Sequence, residues 1–388
     1  MSETKTTVNL GIIGIGNMGT GHIKNIMDGK IPDVTLFAIA DIDPARRDWA
    51  RSNLPSSVQI CETADALMAL PGIEAVLIAV PHYGHAPLTV KALDRGLHVL
   101  CEKPAAVTTA QARTMIAAAD RSDRVFAMMF NQRTNSVFKR MKEIMASGEL
   151  GPMKRCSWII TNWYRSQSYY DSGSWRATWA GEGGGVLLNQ CPHNLDLWQW
   201  ICGMPERVVA FCHEGKWHNI EVEDDVTAYV EYGNGATGTF VTSTADTPGT
   251  NRFEVLCDGG KLVMEHDKLT LYRLKTPERQ FNTTYMGGFG EPEFTVEPQE
   301  TDGTHPQHVG VLQAFARAIL YGEPLVADGR EGIFGLTLSN AMHLSSWLHQ
   351  PIDLPIDEDL FEAQLEKKRA GSKLKTSGSQ TLSMEKSW

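Results

Sequence analysis

The stretch VNLGIIGIGNMG at residues 8–19 decides the fold, because an apolar strand runs directly into a glycine-rich turn that begins a helix. Within this motif Gly14 allows the tight turn, Gly16 lets a pyrophosphate approach the backbone, and Gly19 lets helix and strand pack closely. The free N–H groups at the helix N-terminus attract phosphates. The stretch therefore predicts a dinucleotide site, whose contacts in this turn are Gly14, Gly16, Asn17, Met18 and Gly19.

Short apolar runs alternate with amphipathic stretches over residues 1–130. TLFAIAD (35–41) and AVLIAV (75–80) are typical of buried strands, and HAPLTVKALDRG (85–96) has helical spacing. Strands that alternate with helices in this way form a parallel sheet with right-handed crossovers. We therefore predict an α/β fold whose N-terminal domain, residues 1–130, is a Rossmann doubly wound parallel sheet.

A second domain is predicted over residues 131–360. It begins with a helix in SVFKRMKEIMASGELG (136–151), ending at Gly148 or Gly151, and continues with longer segments of alternating polarity. Tight reversals at 234–235 and 259–260 separate the strands. These features predict an α+β domain with a large, open, mostly antiparallel sheet and two late helices, around 308–322 and 331–349. Residues 361–388 are predicted to be a polar C-terminal tail.

Composition excludes several classes of partner. The chain has 388 residues, a formal net charge of −10 and a pI near 5.7, so its surface repels nucleic acid and anionic membranes. The apolar runs are far shorter than a bilayer span, and residues 1–7 carry no secretory signal. Seven cysteines without a CxxC pair favour free thiols in a reducing compartment, so we expect a cytoplasmic protein. His305 and His308 form an HxxH pair that no carboxylate or cysteine completes, so no metal is predicted.

An acidic residue at the end of the second strand bears on the choice of dinucleotide. Asp41 lies 22 residues after Gly19, where a carboxylate accepts hydrogen bonds from the adenosine ribose and repels a 2′-phosphate. Arg46 and Arg47 follow closely, and either guanidinium would tolerate that phosphate. We therefore predict NAD as the cofactor, with NADP as the less favoured alternative, and place Ile42 and Arg46 among the cofactor contacts.

Two further strand ends bring polar side chains to the carboxyl edge of the predicted sheet, where ligands bind in doubly wound folds. AVPH (79–82) ends the fourth strand, and EKP (102–104) ends the next. Most lysines are solvated, but a lysine in this position is oriented into the crevice. We therefore predict a functional role for Lys103.

A glycine-rich segment in the second domain, EGGGVLLNQCPHNLDL (182–197), runs into a helical pattern. It lacks the Lys-Ser/Thr of a phosphate loop, so its glycines favour close backbone approach over triphosphate binding. Asn189 and His193 are four residues apart and are predicted to share a helix face. A lone histidine is more often structural than catalytic, so the spacing leaves both roles open.

Aromatic side chains are dense between residues 158 and 179, where Arg165 and Arg176 also lie. Ordinary packing accounts for Trp158 and some of the others. The same density also suits a sugar ring, because aromatic faces lie beside hydrogen-bonding groups. The predicted substrate contacts are Lys103, Trp163, Arg165, Tyr170, Asn189 and His193.

Taken together, these motifs resemble the Gfo/Idh/MocA family of sugar and cyclitol dehydrogenases over about residues 6–350. The segments that carry the resemblance are GIIGIGNMG (11–19), AVPHYGHAPLTVKALDRGLHVLCEKP (79–104), FNQR (130–133), Trp175-Arg176 and GGGVLLNQCPHNLDL (183–197). The glycine motif occurs in many folds, whereas EKP followed by GGGxLL(D/N)xxxHxxDL is specific. The resemblance implies an NAD-dependent oxidoreductase that acts on CH–OH groups.

The resemblance also implies roles for single residues. Lys103 matches the lysine that lies beside the nicotinamide and hydrogen-bonds the reacting hydroxyl, and His193 matches the general base. Asn189 matches a position that is often aspartate, and an asparagine has no charge to stabilise an imidazolium. More of the catalysis is therefore expected to rest on Lys103. The predicted cofactor contacts beyond the glycine turn are Asp41, Ile42, Arg46, Ala79, Pro81, His82, His85, Glu102, Lys103, Asn131, Trp175, Arg176 and, where tyrosine often stands, His308.

The expected reaction is oxidation of a secondary hydroxyl of a pyranose sugar or glycoside, with C3 as the favoured carbon and Lys103 and His193 as the acid/base pair. Three alternatives stay open: an inositol (cyclitol) dehydrogenase, an NAD-dependent glycosidase that oxidises its substrate transiently, and a non-catalytic NAD-binding regulator. The expected partner is a small sugar, glycoside or cyclitol. The resemblance further implies a homo-oligomer, either a dimer or a tetramer.

Overall fold

A computed structural model of the protein describes residues 6–375. Its first sheet consists of the strands Val8–Ile13 (β1), Val34–Ala40 (β2), Gln59–Cys61 (β3), Ala75–Ile78 (β4), His98–Cys101 (β5) and Phe126–Met128 (β6). They are all parallel, in the order β3-β2-β1-β4-β5-β6. The intervening helices are Asn17–Met27 (α1), Pro44–Asn53 (α2), Ala64–Met68 (α3), His85–Asp94 (α4) and Thr109–Asp120 (α5). This confirms the predicted doubly wound sheet, whose strand order reverses beside β1, the point where such folds bind ligands.

The second sheet has nine strands and is mixed but mostly antiparallel. Its strands are Met153–Ile160 (β7), Arg207–Glu214 (β8), Glu223–Glu231 (β9), Thr237–Ser243 (β10), Asn251–Cys257 (β11), Gly260–Glu265 (β12), Lys268–Leu274 (β13), Phe294–Gln299 (β14) and Ile352–Asp353 (β15). Their order is β14-β13-β12-β11-β7-β10-β9-β8-β15, and β7 pairs with β10 in parallel. The associated helices are Ser136–Ser147 (α6), Gln167–Asp171 (α7), Pro192–Cys202 (α8), Glu278–Thr284 (α9), Gln307–Tyr321 (α10), Gly332–Leu348 (α11) and Glu358–Gly371 (α12). The predicted sheet, reversals and late helices are thereby confirmed.

One face of the nine-stranded sheet is buried and the other is open. Along β7 the side chains alternate, so that Trp158 is fully buried while Ile159 is 43% exposed. Trp158 stacks on Phe253 of β11 with ring centroids 4.3 Å apart. Helices α8 and α11 cover this inner face, which places the helix that carries His193 between the sheet and the parallel domain.

Helix α10 lies in the second predicted domain but packs on the first sheet. Val311, Leu312 and Phe315 are buried in one cluster with Leu10 and Ile12 of β1. The chain therefore returns to the parallel sheet after β14, before it adds β15 to the second sheet. The predicted domain boundary at residue 130 does not include this contact, because β1 and α10 are far apart in the sequence.

The predicted polar tail is corrected at its start. Residues 361–371 belong to α12, which Asp357 caps by accepting a hydrogen bond from Leu360 N at 2.9 Å. Phe361 and Leu365, four residues apart, are buried, and the Phe361 ring stacks on Trp347 at 5.5 Å. Two apolar residues among many charged ones were too weak a pattern to predict this helix. Residues 376–388 of the predicted tail lie outside the described residues.

Candidate active site

A cavity of about 920 Å³ opens at the carboxyl edge of the parallel sheet. Loops that follow β1, β2, β4 and β5 form one side, and residues between 163 and 193 form the other. Ligand cavities commonly have volumes of roughly 300–1,000 Å³, so this one has room for a large ligand. The predicted site residues that line it are Gly14, Gly16, Asn17, Met18, Asp41, Ile42, Arg46, Ala79, Pro81, His82, His85, Glu102, Lys103, Asn131, Trp163, Arg165, Trp175, Arg176, Asn189, His193 and His308.

The glycine turn fits a pyrophosphate. A Cβ added at Gly16 would meet no atom within 4 Å, so the space above the turn is open to a ligand. A Cβ at Gly19 would lie 2.0 Å from the carbonyl oxygen of Gly14. Gly19 is therefore not among the residues that line the cavity, and its predicted contribution is the close packing of α1 on β1.

Asp41 follows β2 directly and braces this turn. Its two carboxylate oxygens accept hydrogen bonds from the backbone N–H groups of Ile15, at 2.8 Å, and Asp43, at 2.9 Å. A carboxylate oxygen has more than one lone pair, so both can also accept from ribose hydroxyls. The residues at this end of the cavity therefore fit the adenosine half of NAD.

Lys103 lies directly after β5 and reaches across to the second domain. Its Nζ donates a hydrogen bond of 2.9 Å to the backbone carbonyl of Asn189. Burial lowers the pKa of Lys103, while the neighbouring carboxylates of Glu102 and Glu182 raise it in part. The ammonium group thus sits between the two domains with negative charge on both sides.

Glu102 is buried beside this lysine. Its Oε1 lies 2.7 Å from Nε2 of His22 on α1, and its Oε2 accepts the backbone N–H of Lys103 at 3.2 Å. Burial by itself raises the pKa of Glu102, but the His22 hydrogen bond and the charges of His22, His308 and Lys103 outweigh it and lower that pKa to about 2. The side chain is therefore a carboxylate at neutral pH.

Glu182 is a second buried carboxyl group, only 2% exposed. Its two oxygens accept hydrogen bonds from the side-chain amide of Asn189 and from the backbone N–H of Ala177. Burial raises the pKa of Glu182, and the charge of Arg176 lowers it. Burial has the larger effect, so the pKa of Glu182 is raised overall, although both hydrogen-bond donors favour the ionised form.

Asn189 and His193 do not share a helix, which corrects the sequence-based expectation. Helix α8 begins at Pro192, whose ring suits the first helical position, so Asn189 lies in the turn before it. Both side chains nevertheless line the same cavity. In this turn the side-chain amide of Asn189 donates a hydrogen bond to Glu182, and the backbone carbonyl of Asn189 accepts one from Lys103.

His193 lies in the first turn of α8 and is 7% exposed. Within residues 6–375 its Nδ1 has no hydrogen-bond partner. Burial lowers the pKa of His193 well below its usual range, and the nearby charge of Lys103 lowers it further. The ring is therefore a neutral imidazole at neutral pH, with an edge of Phe130 at a centroid distance of 6.3 Å.

A buried ion pair fixes α8 to the segment that follows β6. Arg133, in the short 3-10 helix Asn131–Thr134, donates to both carboxylate oxygens of Asp196 at 2.7 and 2.6 Å. It donates a further hydrogen bond of 2.6 Å to Glu331. Asp196 is one turn beyond His193 on α8, so this bidentate pair holds the helix that carries the imidazole.

Two histidines near the start of α4 are held by backbone carbonyls. Nδ1 of His82 lies 2.9 Å from the carbonyl oxygen of Glu182. The two ring nitrogens of His85 lie 2.6 Å from the carbonyl of Pro104 and 2.8 Å from that of Val80. Burial lowers the pKa of both histidines. A neutral imidazole has a single N–H, so His85 donates to one of its two carbonyls, and His82 contacts the glycine-rich segment.

Of the two aromatic residues predicted to contact the substrate, Trp163 lines the cavity and Tyr170 does not. The hydroxyl of Tyr170 bonds to Thr244 Oγ1 at 2.7 Å, and Tyr170 is not among the residues that line the cavity. Its neighbour Tyr169 lines the cavity instead and accepts a hydrogen bond from Arg176 at 2.9 Å. The two tyrosines are neighbours on the short helix α7, with ring centroids 5.3 Å apart, and the sequence offered no signal to show which of them lines the cavity.

His22, Tyr169 and Glu182 contribute to the site although no sequence pattern predicts a role for them. Glu182 directly precedes the three glycines of the second-domain motif, and a carboxyl group beside a segment of close backbone approach is a signal for such a role. His22 is distant in sequence from Glu102 and has no comparable signal.

The fold and the site together define a dinucleotide-binding oxidoreductase. Residues 8–130 match the oxidoreductase family with an NAD-binding Rossmann fold, and residues 138–263 match the Gfo/Idh/MocA C-terminal domain. The protein belongs to the Gfo/Idh/MocA family of oxidoreductases, and its cofactor is NAD.

Named relatives act on cyclitols and sugars. Myo-inositol 2-dehydrogenase of Thermotoga maritima is 24% identical over 86% of this chain and 95% of its own length. Levoglucosan dehydrogenase of Pseudarthrobacter phenanthrenivorans is 24% identical over 84% of this chain and 88% of its own. Among solved structures, the WlbA dehydrogenase from Bordetella pertussis, in complex with NADH and UDP-GlcNAcA, superposes with a TM-score of 0.77, at 23% identity over 91% of this chain and 99% of that one.

Between residues 6 and 375 no helix combines the length and the apolar character that crossing a bilayer requires. The same residues contain no group of three or more His, Cys, Asp or Glu side chains placed to hold a metal ion. The expected absence of a metal requirement stays a prediction.

Proposed function

We propose that the protein oxidises a secondary hydroxyl of a pyranose sugar or glycoside, with C3 as the favoured position. The observation that carries this proposal is the pairing of an ammonium group, Lys103, and a neutral imidazole, His193, on facing walls of one cavity. Aromatic rings beside them supply the apolar faces that sugar rings bind.

Each of the two groups has a distinct part in this reaction. His193 takes the hydroxyl proton, for which a neutral imidazole that lines the cavity is suited. Lys103 donates a hydrogen bond to the same oxygen and stabilises the negative charge that develops there. The Asn189 carbonyl holds the lysine in place through the bond to Nζ. Bound NAD supplies the hydride acceptor.

The cofactor is proposed to lie along the glycine turn. Gly16 and the N-terminus of α1 face the pyrophosphate, Asp41 faces the adenosine ribose, and Trp175 and His308 line the same cavity as Lys103. The carboxylate of Asp41 favours NAD over NADP because it repels a 2′-phosphate.

An inositol dehydrogenase is the second candidate, since the Thermotoga relative bears that name. A panel of pyranosides, free sugars and inositols, scored by NADH absorbance, separates the two.

Lys103→Met and His193→Phe are expected to abolish turnover while NAD still binds. Full turnover in either variant would contradict the proposed roles. Release of an aglycone without accumulating NADH would indicate the glycosidase alternative instead, and NAD binding without turnover of any compound would indicate a regulator.

A homo-oligomer in the cytoplasm is part of the same proposal. The open face of the nine-stranded sheet exposes Ile159, Phe211, Tyr229 and Leu256, which is an extended apolar surface for association. Sedimentation analysis of the wild type and of Tyr229→Glu tests this, with a shift toward the monomer expected for the variant.

A further inference from the structure

Positive charge is unevenly balanced at the end of the cavity that holds the catalytic pair. Lys103, Arg165 and Arg176 all line this region. Lys103 has Glu102 and Glu182 as neighbouring carboxylates. Among the ion pairs formed within residues 6–375, none includes Arg165 or Arg176. Two half-buried guanidinium groups thus face a cavity without an anion in direct contact.

The two arginines differ in what surrounds them. Arg176 donates a hydrogen bond of 2.9 Å to Tyr169, and its charge acts on the buried carboxyl group of Glu182. It also follows Trp175, a predicted cofactor contact. The positive charge of Arg176 is therefore partly balanced within the protein, whereas that of Arg165 is not.

The backbone at Arg165 is fixed from two sides. Its N–H donates to the carbonyl of Thr244 at 2.8 Å, and its carbonyl lies 2.9 Å from Nε2 of His218. The other ring nitrogen of His218 lies 2.9 Å from the fully buried carboxylate of Asp224. The main chain that presents this arginine is therefore anchored by a buried polar network.

The guanidinium of Arg165 is also held by its neighbours. Its Cζ lies 5.7 Å from the centroid of the Trp163 ring and 5.1 Å from that of the Tyr169 ring. One of its nitrogens donates to the carbonyl of Tyr164 at 2.9 Å. A guanidinium has five N–H donors, so most of them remain for a ligand. Stacking on aromatic rings leaves the edge of the group, which carries those donors, open to the cavity.

We propose that Arg165 binds an acidic substituent of the substrate, so that the preferred substrate is a pyranoside bearing a carboxylate or a phosphate group. A planar, pre-positioned guanidinium matches such an oxyanion in a bidentate manner. A neutral sugar would leave this half-buried charge without a counterion. The inference rests on the proposed function, because the same cavity holds the hydroxyl that is oxidised.

The charge of Arg165, which would bind the acidic group, also acts on Lys103, which would bind the reacting hydroxyl. This charge lowers the pKa of Lys103, although burial is the larger cause. An anion bound to Arg165 offsets this effect and favours the charged form of the lysine. Binding of the acidic group therefore prepares the ammonium that stabilises the alkoxide.

The test compares matched pairs of compounds on the NAD-loaded protein: methyl β-glucuronide against methyl β-glucoside, and glucose 6-phosphate against glucose. We expect kcat/KM for at least one acidic compound to exceed that of its neutral counterpart by about tenfold to a hundredfold, as for hydrogen bonds to charged groups. In Arg165→Gln this ratio is expected to fall toward one, and Arg165→Lys is expected to retain part of it. Which pair shows the preference distinguishes carboxylate from phosphate.

Arg124→Gln is the matched control, since Arg124 lies at the amino end of β6, on the sheet edge opposite the cavity, and should leave the ratio unchanged. Equal or better use of the neutral compounds, or a ratio unaffected by Arg165→Gln, would overturn the inference. Calorimetric binding of methyl β-glucuronide and methyl β-glucoside to the NAD-loaded protein gives a readout that does not depend on turnover. If no compound is oxidised, the proposed function fails. In that case, binding of the glucuronide that is tighter than that of the glucoside and depends on Arg165 still supports the acidic subsite. Weaker or equal binding of the glucuronide refutes the subsite.

Discussion

The side-chain amide of Asn189 donates a hydrogen bond to the buried carboxylate of Glu182, and the backbone carbonyl of Asn189 accepts one from Lys103. Lys103 therefore has a carboxyl group nearby although residue 189 is uncharged. Glu182 supplies this group from a neighbouring turn and raises the pKa of Lys103. We regard Glu182 as a positioning residue, since it acts on the lysine through Asn189 and through its electrostatic field.

Glu182→Gln is expected to shift the pH profile of kcat. Loss of the negative charge removes one of the effects that raise the pKa of Lys103, so the ammonium loses its proton at lower pH. The alkaline limb of the profile therefore moves to lower pH, while the affinity for NAD changes little. The measurement is kcat against pH at saturating NAD and substrate.

A double variant provides the control. In Glu182→Gln/Asn189→Asp a carboxylate returns next to Lys103, so the alkaline limb should move back toward that of the wild type. A purely structural role for Glu182 would lower activity at every pH without moving the limb. An unchanged limb in the single variant would show that the buried carboxyl group carries no charge during turnover.

Most of the cofactor half of the site could be predicted from local sequence, because each contact follows a strand that its own apolar run defines. Gly16 and Asp41 are examples, since a short motif fixes the position of each. The contact of His22 with Glu102 depends on how α1 packs over a strand that lies far along the chain. Tyr169 and Tyr170 are adjacent on a five-residue helix, and no periodic pattern is long enough to show which of them lines the cavity.

Arg133→Met is expected to destabilise the protein strongly. The substitution leaves the carboxylate of Asp196 buried without its cation, which costs about 3–5 kcal/mol in comparable cases. Urea unfolding measures the change in the free energy of unfolding. Arg51→Met is the matched control, because its ion pair with Asp48 is exposed and contributes about 0–1 kcal/mol. Similar losses in both variants would show that the buried pair contributes no more than the surface pair.

Gly16→Ala is expected to separate NAD binding from folding. The added methyl group meets no protein atom within 4 Å, so the thermal midpoint of the apoprotein should stay near that of the wild type. The same methyl group occupies the space proposed for the pyrophosphate, and we expect the affinity for NAD to fall by about tenfold or more, equivalent to roughly 1.4 kcal/mol. Gly21→Ala on the same helix also meets nothing within 4 Å and should bind NAD normally. Unimpaired NAD binding in Gly16→Ala would place the pyrophosphate elsewhere.

Acid should weaken the fold through Glu102. The pKa of this carboxyl group is about 2 in the folded protein, against 4.5 for an unperturbed glutamate, so its ionised form is favoured by folding. Its contribution is complete above about pH 4.5 and is lost as the pH falls toward 2. Burial raises the pKa values of Glu182 and Asp196, so these two groups make the folded protein relatively more stable as the pH falls. The contribution of Glu102 is therefore measured as the difference in unfolding free energy between the wild type and Glu102→Gln.

That difference in unfolding free energy, measured by urea titration at several pH values, is expected to be largest near neutral pH and to shrink with acidification. Glu293→Gln serves as the control, because Glu293 pairs with Lys275 at the surface, where solvent screens the interaction. A difference that stays constant from neutral pH to about pH 2 would mean that the contact between His22 and Glu102 does not depend on the charge of the carboxylate. In that case the pair would hold α1 to the end of β5 as a neutral hydrogen bond, and the negative charge beside Lys103 would come from Glu182 alone.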